Sequence, residues 1–257
     1  MIFYFTATGN CLDIAKRLDK ETYSIPQIKG HNRFKADRIG VIAPTYAFDI
    51  PDNVKEFLKN NEFETDYFYI ICTFGNKSGG IEQRVQKFLH SIGKKADYIN
   101  SILMVDNFLP GYDISEQLIM DKKIDENFEI IKQDIENRKN FVKPETEEDK
   151  KDYEIMLSYN LDYKFMNKYI VTEDCIGCEI CTKVCPKSCF EIVDKRAKQD
   201  NTNCLTCLAC VNACPKKALK FPIPNERFPI SEPNPNVRFK NENVTLQEII
   251  KANCQNN

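Results

Sequence analysis

Short apolar runs and amphipathic segments alternate along residues 1–165. The apolar runs, each of strand length, are Met1–Phe5, Ile39–Ala43, Tyr67–Thr73 and Ser101–Val105. The third run is continuously apolar up to its final threonine, which is typical of a strand that is buried on both faces. This pattern predicts parallel strands that are covered by helices on both sides.

Between these runs the apolar positions recur with a helical period. Helices are predicted over Cys11–Lys20, Asp52–Asn60 and Ile81–Ile92. A longer helix is predicted over Glu116–Val142, because isoleucine and phenylalanine recur there every three or four residues. Pro144 and the charged stretch Glu145–Asp152, interpreted as a solvated face or hinge, interrupt the pattern, and a further helix is predicted to run on to Asn167. The alternation predicts a doubly wound parallel α/β sheet.

Charge and hydropathy argue against nucleic-acid binding and against membrane insertion. The chain of 257 residues has a formal net charge of −2, with acidic and basic residues interspersed. Nucleic-acid binding is not expected, because proteins of that class carry a basic stripe or patch. Membrane insertion is not expected either, because no apolar run approaches the ~20 residues of a membrane-spanning helix. A cytoplasmic location is expected, because the many reduced cysteines of the chain, and the labile clusters predicted below, need a reducing compartment.

Eight of the twelve cysteines form one motif that occurs twice. The first copy is Cys175, Cys178, Cys181 and Cys185, and the second, 29 residues further on, is Cys204, Cys207, Cys210 and Cys214. Each copy reads C-x2-C-x2-C-x3-C-P, the ligand run of two-cluster ferredoxins, in which the fourth cysteine binds the other cluster. The motif therefore predicts two [4Fe–4S] clusters. One is expected on Cys175, Cys178, Cys181 and Cys214, and the other on Cys204, Cys207, Cys210 and Cys185.

Other uses of these cysteines fit the pattern less well. A disulfide scaffold needs an oxidising compartment, and the N-terminal residues do not have the basic segment and cleavage site of a secretory signal. Zinc sites close C-x2-C pairs with distant cysteine or histidine, and they do not use a duplicated run of four. The C-x3-C-x2-C run of radical enzymes that use S-adenosylmethionine does not occur in the chain. Of the remaining cysteines, Cys72 and Cys189 are predicted to be buried core residues, and Cys254 suggests no partner.

Three loops follow predicted strands, at the sheet edge where ligands bind in doubly wound folds. The threonine loop, Thr6–Asn10, precedes a helix, so its hydroxyl and backbone N–H groups favour phosphate binding, with a capped helix start as the alternative. The aromatic loop, Pro44–Pro51, presents Tyr46 and Phe48, which suit either a flat ring or ordinary packing. The glycine loop, Thr73–Gly80, allows close approach of backbone amides to a ligand.

Taken together, these motifs resemble the flavodoxin–ferredoxin fusion proteins of anaerobic bacteria and archaea. T-A-T-G-N after the first strand is similar to the phosphate loop of flavodoxins, which bind FMN non-covalently. The resemblance extends to P-T-Y-x-x-x-x-P, G-N-K-x-G-G, Asp106–Pro110, the duplicated cysteines and the tail from Val237 to Ile250. It implies a flavodoxin-like sheet with strand order 2-1-3-4-5, an FMN site, and a small α+β ferredoxin-like domain with two [4Fe–4S] clusters.

The resemblance also assigns the FMN contacts position by position. The phosphate loop would comprise Thr6, Ala7, Thr8, Gly9, Asn10 and Cys11. The first ring-flanking loop would comprise Thr45, Tyr46, Ala47 and Phe48, and the second Phe74, Gly75, Asn76 and Gly80. Many flavodoxins have threonine or serine where this chain has Cys11, so one phosphate hydrogen bond is expected to weaken or to come from the backbone.

The chain is predicted to have three parts. They are a flavodoxin-like FMN-binding domain (1–165), a ferredoxin domain (166–222) and a proline-rich arm with a short helix (223–257) that straps the two domains together. A capping box at Thr245–Glu248 is expected to begin that helix. The predicted function is electron relay between the clusters and FMN, with other redox proteins as partners and no catalytic side chain. The alternatives are an FMN-dependent reductase of a quinone, nitro compound or ferric chelate, and a redox-sensing interaction protein.

Overall fold

The computed structural model describes residues 1–158, 168–200, 203–220 and 233–255. Its contacts divide the chain into two units. The first comprises Met1–Thr6, Asn10–Val105 and the described residues from Lys122 to 158. The second comprises Ala7–Gly9, Asp106–Asp121 and the described residues from Lys168 onward. The threonine loop therefore contributes residues to both units.

A parallel sheet forms the centre of the first unit. Its strands are β1 (Ile2–Tyr4), β2 (Thr22–Ser24), β4 (Arg38–Pro44), β6 (Tyr67–Phe74), β7 (Tyr98–Leu103) and β8 (Phe141–Val142). They lie in the order β2-β1-β4-β6-β7-β8, and every neighbouring pair is parallel. The first five follow the order 2-1-3-4-5, which confirms the predicted doubly wound fold. The order reverses between β1 and β4, where such sheets bind ligands.

Helices cover the sheet of the first unit. They are α1 (Asn10–Leu18), α2 (Asp52–Asn60), α3 (Ile81–Ser91) and α5 (Ile124–Glu136). A further helix, α6 (Glu147–Ser158), has no buried residue. Successive residues of β4, from Ile39 through Ala43, are all buried, which requires cover on both faces of the sheet. A short parallel pair, β3 (Arg33–Lys35) and β5 (Glu62–Glu64), was not predicted; it contributes Phe34 and Phe63 to an aromatic cluster with Phe3.

The prediction of one long helix over Glu116–Val142 is wrong. The segment forms α4 (Ile114–Ile119), then α5, then strand β8. Lys123 has a left-handed backbone with φ 49°, and Arg138 has φ 50°, so the helical path is broken before and after α5. The helical spacing of apolar residues corresponds to a buried helix face only within α5, where Phe128, Ile131 and Ile135 are buried. The segment from 159 to Asn167, predicted to be helical, lies outside the described residues.

The second unit contains two short antiparallel pairs and short helices. The pairs are β9 (Ile170–Val171) with β12 (Leu219–Lys220), and β10 (Phe190–Val193) with β11 (Arg196–Gln199). The helices that carry cysteines are α7 (Ile180–Lys183) and α8 (Ala209–Ala213). This is the small α+β arrangement that was predicted. Cys189 is buried in it, and Cys72 is buried in the first unit, as expected.

The C-terminal helix α9 (Leu246–Asn253) begins at the predicted capping box. The Thr245 side chain accepts a hydrogen bond from the Glu248 backbone N–H at 3.2 Å, and the Thr245 N–H donates to Glu248 Oε2 at 2.7 Å. Both hydrogen bonds satisfy donors that a helix start otherwise leaves open. Residues 221–232, which include the first part of the proline-rich arm, lie outside the described residues.

Candidate functional site

The eight motif cysteines come together in two sets of four. Three cysteines of the first run and one of the second, namely Cys175, Cys178, Cys181 and Cys214, line one cavity. Burial raises the pKa of Cys181 to about 12, with further contributions from the other three. Burial also raises the pKa of Cys210, and here the next contributions come, largest first, from Cys207, Cys185, Cys204 and Cys181. The pKa of Cys207 is likewise raised by burial and then by Cys185 and Cys204. The fourth cysteine of each run thus lies with the first three of the other.

Backbone N–H groups point at sulfur in both sets. Cys189 N donates to Cys185 Sγ at 3.2 Å, and Ala218 N donates to Cys214 Sγ at 3.3 Å. These two donors occupy equivalent positions in the duplicated motif, four residues after the cysteine they contact. Such N–H···S bonds stabilise negative charge on a ligating sulfur and tune the potential of an iron–sulfur cluster.

The loops that carry the first three cysteines of each run are held in costly backbone conformations. Glu179 and Leu208, 29 residues apart, have φ 64° and 61° immediately before α7 and α8. Gly177 has φ 65°, and a Cβ atom there would lie 2.5 Å from the Lys195 carbonyl oxygen. Left-handed non-glycine residues each cost about 1–3 kcal/mol and cluster at functional sites. These left-handed conformations let each loop turn tightly, so that its thiols converge.

These sets differ from a site for one ion. Among the described residues, no group of three or more His, Cys, Asp or Glu side chains is arranged to hold a single metal ion. A four-iron cube binds each of its cysteines through a different iron, so it keeps the sulfurs apart. The donor chemistry of the sets, four cysteine sulfurs with N–H···S bonds, fits that kind of group.

The threonine loop lies at the carboxyl end of β1, and its first four residues are buried. Thr6 is 1% exposed and Thr8 is 3% exposed. Gly9 has φ 110°, a conformation that favours glycine. At the start of α1, Asn10 Nδ2 donates to the Val105 carbonyl at 3.0 Å, and Cys11 Sγ lies 3.2 Å from Thr73 Oγ1. These side chains tie α1 to the carboxyl ends of β6 and β7.

The aromatic loop contains a strained turn. Tyr46 and Asp49 exchange backbone hydrogen bonds of 2.8 and 3.0 Å, and the two residues between them, Ala47 and Phe48, have φ 50° and 62°. Turns of this kind normally use Asn-Gly or glycine pairs. Arg84 Nε donates to the Phe48 carbonyl at 2.8 Å and so holds the turn in place. A strained turn that is stabilised from outside points to a functional role for the residues it presents.

The glycine loop contacts the aromatic loop. A Cβ atom on Gly79 would lie 2.4 Å from the Phe48 ring, so the ring packs directly on that glycine. Thr45 N also donates to the Thr73 carbonyl at 2.8 Å. The structure therefore brings the two predicted ring-flanking loops together.

Helix α6 and Lys122, two residues before α5, stabilise the glycine loop, and sequence reasoning missed both. Lys77 Nζ pairs with Asp152 at 2.6 Å, and Ser78 Oγ donates to Asp149 at 3.0 Å. The buried Lys122 donates to the Gly75 carbonyl at 2.9 Å. The charged stretch Glu145–Asp152, interpreted as a solvated face or hinge, therefore contributes loop contacts. No local pattern distinguishes such acidic residues from those of a solvated helix.

Thr45 provides a polar side-chain atom at this edge of the sheet. Thr45 Oγ1 is buried and has no hydrogen-bond partner among the described residues. Buried hydroxyls in native proteins nearly always have a partner, so this atom fits the polar edge of a bound ligand. Gly79 and Gly80, with φ 55° and 71°, keep the facing loop close to its neighbours. The residues present fit a flat ligand with a polar edge, such as a flavin.

Comparison with protein families identifies both parts of the chain. A flavodoxin domain matches residues 1–123, and a 4Fe-4S dicluster domain matches residues 167–215. The chain is a fusion of a flavodoxin domain with a 4Fe-4S dicluster domain. Its domains make it an electron-transfer protein that uses an iron–sulfur cluster and a flavin.

Other comparisons with the fusion are distant. No curated protein matches it. Among solved structures, rubredoxin oxygen:oxidoreductase from the anaerobe Desulfovibrio gigas matches with 14% identity and a TM-score of 0.29, over 50% of the fusion. The fusion spans 35% of the length of that chain. No helix in the described part of the fusion is long and apolar enough to cross a membrane.

The strained turn of the fusion allows a test of its role. We expect Ala47→Gly to raise the apparent thermal midpoint by about 2 °C, because glycine relieves a left-handed strain of about 1 kcal/mol. We expect flavin affinity to fall severalfold, because the freer loop loses more conformational entropy on binding. Thermal melting monitored by circular dichroism and a flavin fluorescence titration would measure the two effects. A lower midpoint would show that the turn is not strained.

Proposed function

We propose that the fusion relays electrons between two [4Fe–4S] clusters and a non-covalently bound FMN. The observation that carries this proposal is that Ala7–Gly9, the centre of the threonine loop, belongs to the same structural unit as both cysteine runs. A phosphate bound to that loop would hold the flavin on the unit that carries the clusters. The proposed parts remain the flavodoxin-like domain (1–165), the ferredoxin domain (166–222) and the C-terminal arm (223–257).

Each cluster would be held by three cysteines of one run and the fourth cysteine of the other. The cavity that Cys214 shares with Cys175, Cys178 and Cys181 supports this division. The electrostatic neighbours of Cys210, which include Cys185, support the second set. The N–H groups of Cys189 and Ala218 would stabilise the ligating sulfurs.

The FMN would be held by the three loops at the carboxyl ends of the strands. The threonine loop would bind the phosphate through hydroxyl and backbone N–H groups, at the start of α1. Thr45 Oγ1 would bind the polar edge of the ring, and Phe48 would pack against the ring. The Lys122 ammonium group, buried at Gly75, would favour added electrons on a flavin bound there.

When bound, the clusters would exchange single electrons and the flavin one or two, so that the pair converts between one-electron and two-electron couples. The residues of the chain exclude water, orient both groups and stabilise charge through N–H donors. The proposal assigns no catalytic side chain. Redox proteins that donate or accept one electron at a time are the proposed partners.

Anaerobic reconstitution tests this function. We expect about eight iron atoms and one FMN per chain. Rapid mixing with a one-electron donor, such as dithionite or a reduced ferredoxin, should reduce the clusters first and then the flavin of the same molecule. The second phase should have a rate independent of protein concentration, because the transfer is intramolecular.

Four results would contradict the relay. A chain with no flavin lacks one end of it, and fewer than about seven iron atoms would show that two complete clusters are not present. Rapid turnover of a quinone, nitro compound or ferric chelate would indicate a reductase instead. A change in affinity for a partner protein without onward electron transfer would indicate a sensor.

A further inference from the structure

The centre of the threonine loop is held by residues that are far away in sequence. Asn107 Nδ2 donates to Thr8 Oγ1 at 2.6 Å. The Thr8 carbonyl accepts a hydrogen bond from Asn241 N at 2.8 Å. Thr8, Asn107 and Asn241 all belong to the second unit. The loop is therefore built by three segments, which come from the beginning, the middle and the end of the chain.

The C-terminal segment Phe239–Val244 packs tightly against this loop. A Cβ atom on Gly9 would lie 2.8 Å from Asn241 Cβ and 3.1 Å from Val244 Cβ. Asn241 is 7% exposed and Val244 is 1% exposed. The loop therefore needs glycine at position 9 for its positive φ and also because the C-terminal segment leaves no room for a side chain.

The same segments meet on the cluster helix. Asn212 lies on α8, between the motif residues Cys210 and Cys214. Its Nδ2 donates to the Leu208 carbonyl at 3.2 Å and to the Asn107 carbonyl at 3.4 Å. Its Oδ1 accepts from Phe239 N at 2.9 Å. Asn212 is 7% exposed, so water competes little for these bonds. Hydrogen bonds thus connect the cluster helix to Thr8 through a single intermediate residue, Asn107.

The direction of the Asn107 bond suits an anion. A hydroxyl group has one hydrogen to donate and can accept from others. Because Thr8 Oγ1 accepts from the Asn107 amide, its own hydrogen is left to donate to another acceptor. A phosphate oxygen is such an acceptor, and hydrogen bonds to a charged acceptor are the stronger kind.

We propose that Asn107 and the segment Phe239–Val244 complete the phosphate site of FMN, and that Asn212 couples this site to the cluster helix. The inference rests on the proposed function, in which FMN binds at the threonine loop. Asn107 and Asn212 are positioning residues, since they act through Thr8. Coupling between two sites is reciprocal, so FMN would stabilise the clusters as much as the clusters stabilise FMN binding.

The variant Asn107→Asp tests the phosphate site. It removes the donor to Thr8 and adds a negative charge, while it keeps the shape of the side chain and the backbone carbonyl. We expect FMN to bind at least about tenfold more weakly, and riboflavin, which has no phosphate, to bind as it does to the wild type. Asn236→Ala, an exposed asparagine of the same C-terminal region, is the matched control and should change neither affinity.

The outcomes separate this inference from the proposed function. If the wild-type chain binds no FMN, the proposed function is wrong and the inference falls with it. If the wild type binds FMN and Asn107→Asp leaves that affinity unchanged, only the inference is wrong. An equal loss of FMN and riboflavin affinity would also overturn it, since a general disturbance of the loops affects both ligands alike.

The coupling has its own test in the wild-type chain, which avoids variants that fail to fold. Cluster loss is followed as the decay of visible absorbance in the presence of an iron chelator, with saturating FMN, with riboflavin or with neither. We expect FMN to slow the decay severalfold and riboflavin to slow it less. Asn212→Asp, which keeps the acceptor for Phe239 N and removes the donor to Asn107, should abolish the difference. Equal decay rates under all three conditions would overturn the coupling.

Discussion

Replacement of Cys214 by alanine is expected to abolish the same cluster as replacement of Cys178, although the two cysteines belong to different runs. Both side chains line one cavity together with Cys175 and Cys181. Loss of one ligand from a four-cysteine set removes its cluster, so iron should fall from about eight to about four atoms per chain. Iron analysis and electron paramagnetic resonance of the reduced variants would measure the loss.

The electron paramagnetic resonance spectra of the variants show which cluster remains. Cys214→Ala and Cys178→Ala should leave the same spectrum, and Cys185→Ala and Cys207→Ala should leave the other. Cys254→Ala, outside the duplicated motif, is the control and should retain about eight iron atoms. If Cys214→Ala instead leaves the spectrum of Cys207→Ala, then each run binds its own cluster and the crossed assignment is wrong.

Replacement of Gly79 by alanine is expected to weaken FMN binding by about tenfold or more while both clusters are retained. The added Cβ atom would lie 2.4 Å from the Phe48 ring, a distance that forces the ring or the loop to move. The aromatic loop cannot yield easily, because Arg84 holds the Phe48 carbonyl and the turn is already strained. Flavin fluorescence titration and iron analysis would measure the two effects.

Gly93 provides a matched control for this prediction. It also has a positive φ, 71°, but a Cβ atom there would meet nothing within 4 Å. Gly93→Ala therefore carries the backbone strain without the steric clash, and it should leave FMN affinity nearly unchanged. If both variants lose FMN affinity equally, the contact between Phe48 and Gly79 does not determine the shape of the site.

Parts of the fold that depend on local patterns could be predicted well. The apolar runs located the central strands, and the helical period located α2 and α3. The same period failed between Glu116 and Val142, where it was extended across Lys123 and Arg138. Both residues adopt left-handed backbone conformations, which lysine and arginine do not predict. Tertiary contacts impose those breaks, so a period count cannot detect them.

The candidate sites also combine features that the sequence could predict with features that it could not. The crossed cysteine sets could be proposed from spacing, because few motifs place four cysteines at these intervals twice. The contacts of Lys77 and Ser78 with α6 could not. Neither could the contact of Asn107 with the threonine loop, or that of Asn212 with Asn107. Charged and asparagine side chains form such contacts with any suitably placed partner, and the sequence separations here run from 71 to 105 residues.

Local order alone is enough to specify the parallel sheet, the two classes of redox group and the two runs of four cysteines. These features depend on side-chain periodicity and on short ligand spacing, which neighbouring residues control. The strained turn under Phe48, the buried Lys122 at Gly75 and the convergence of the C-terminal segment on Gly9 emerge only once the chain has folded. Each depends on distant residues meeting in space, and those meetings are determined by packing and hydrogen bonding across the whole unit.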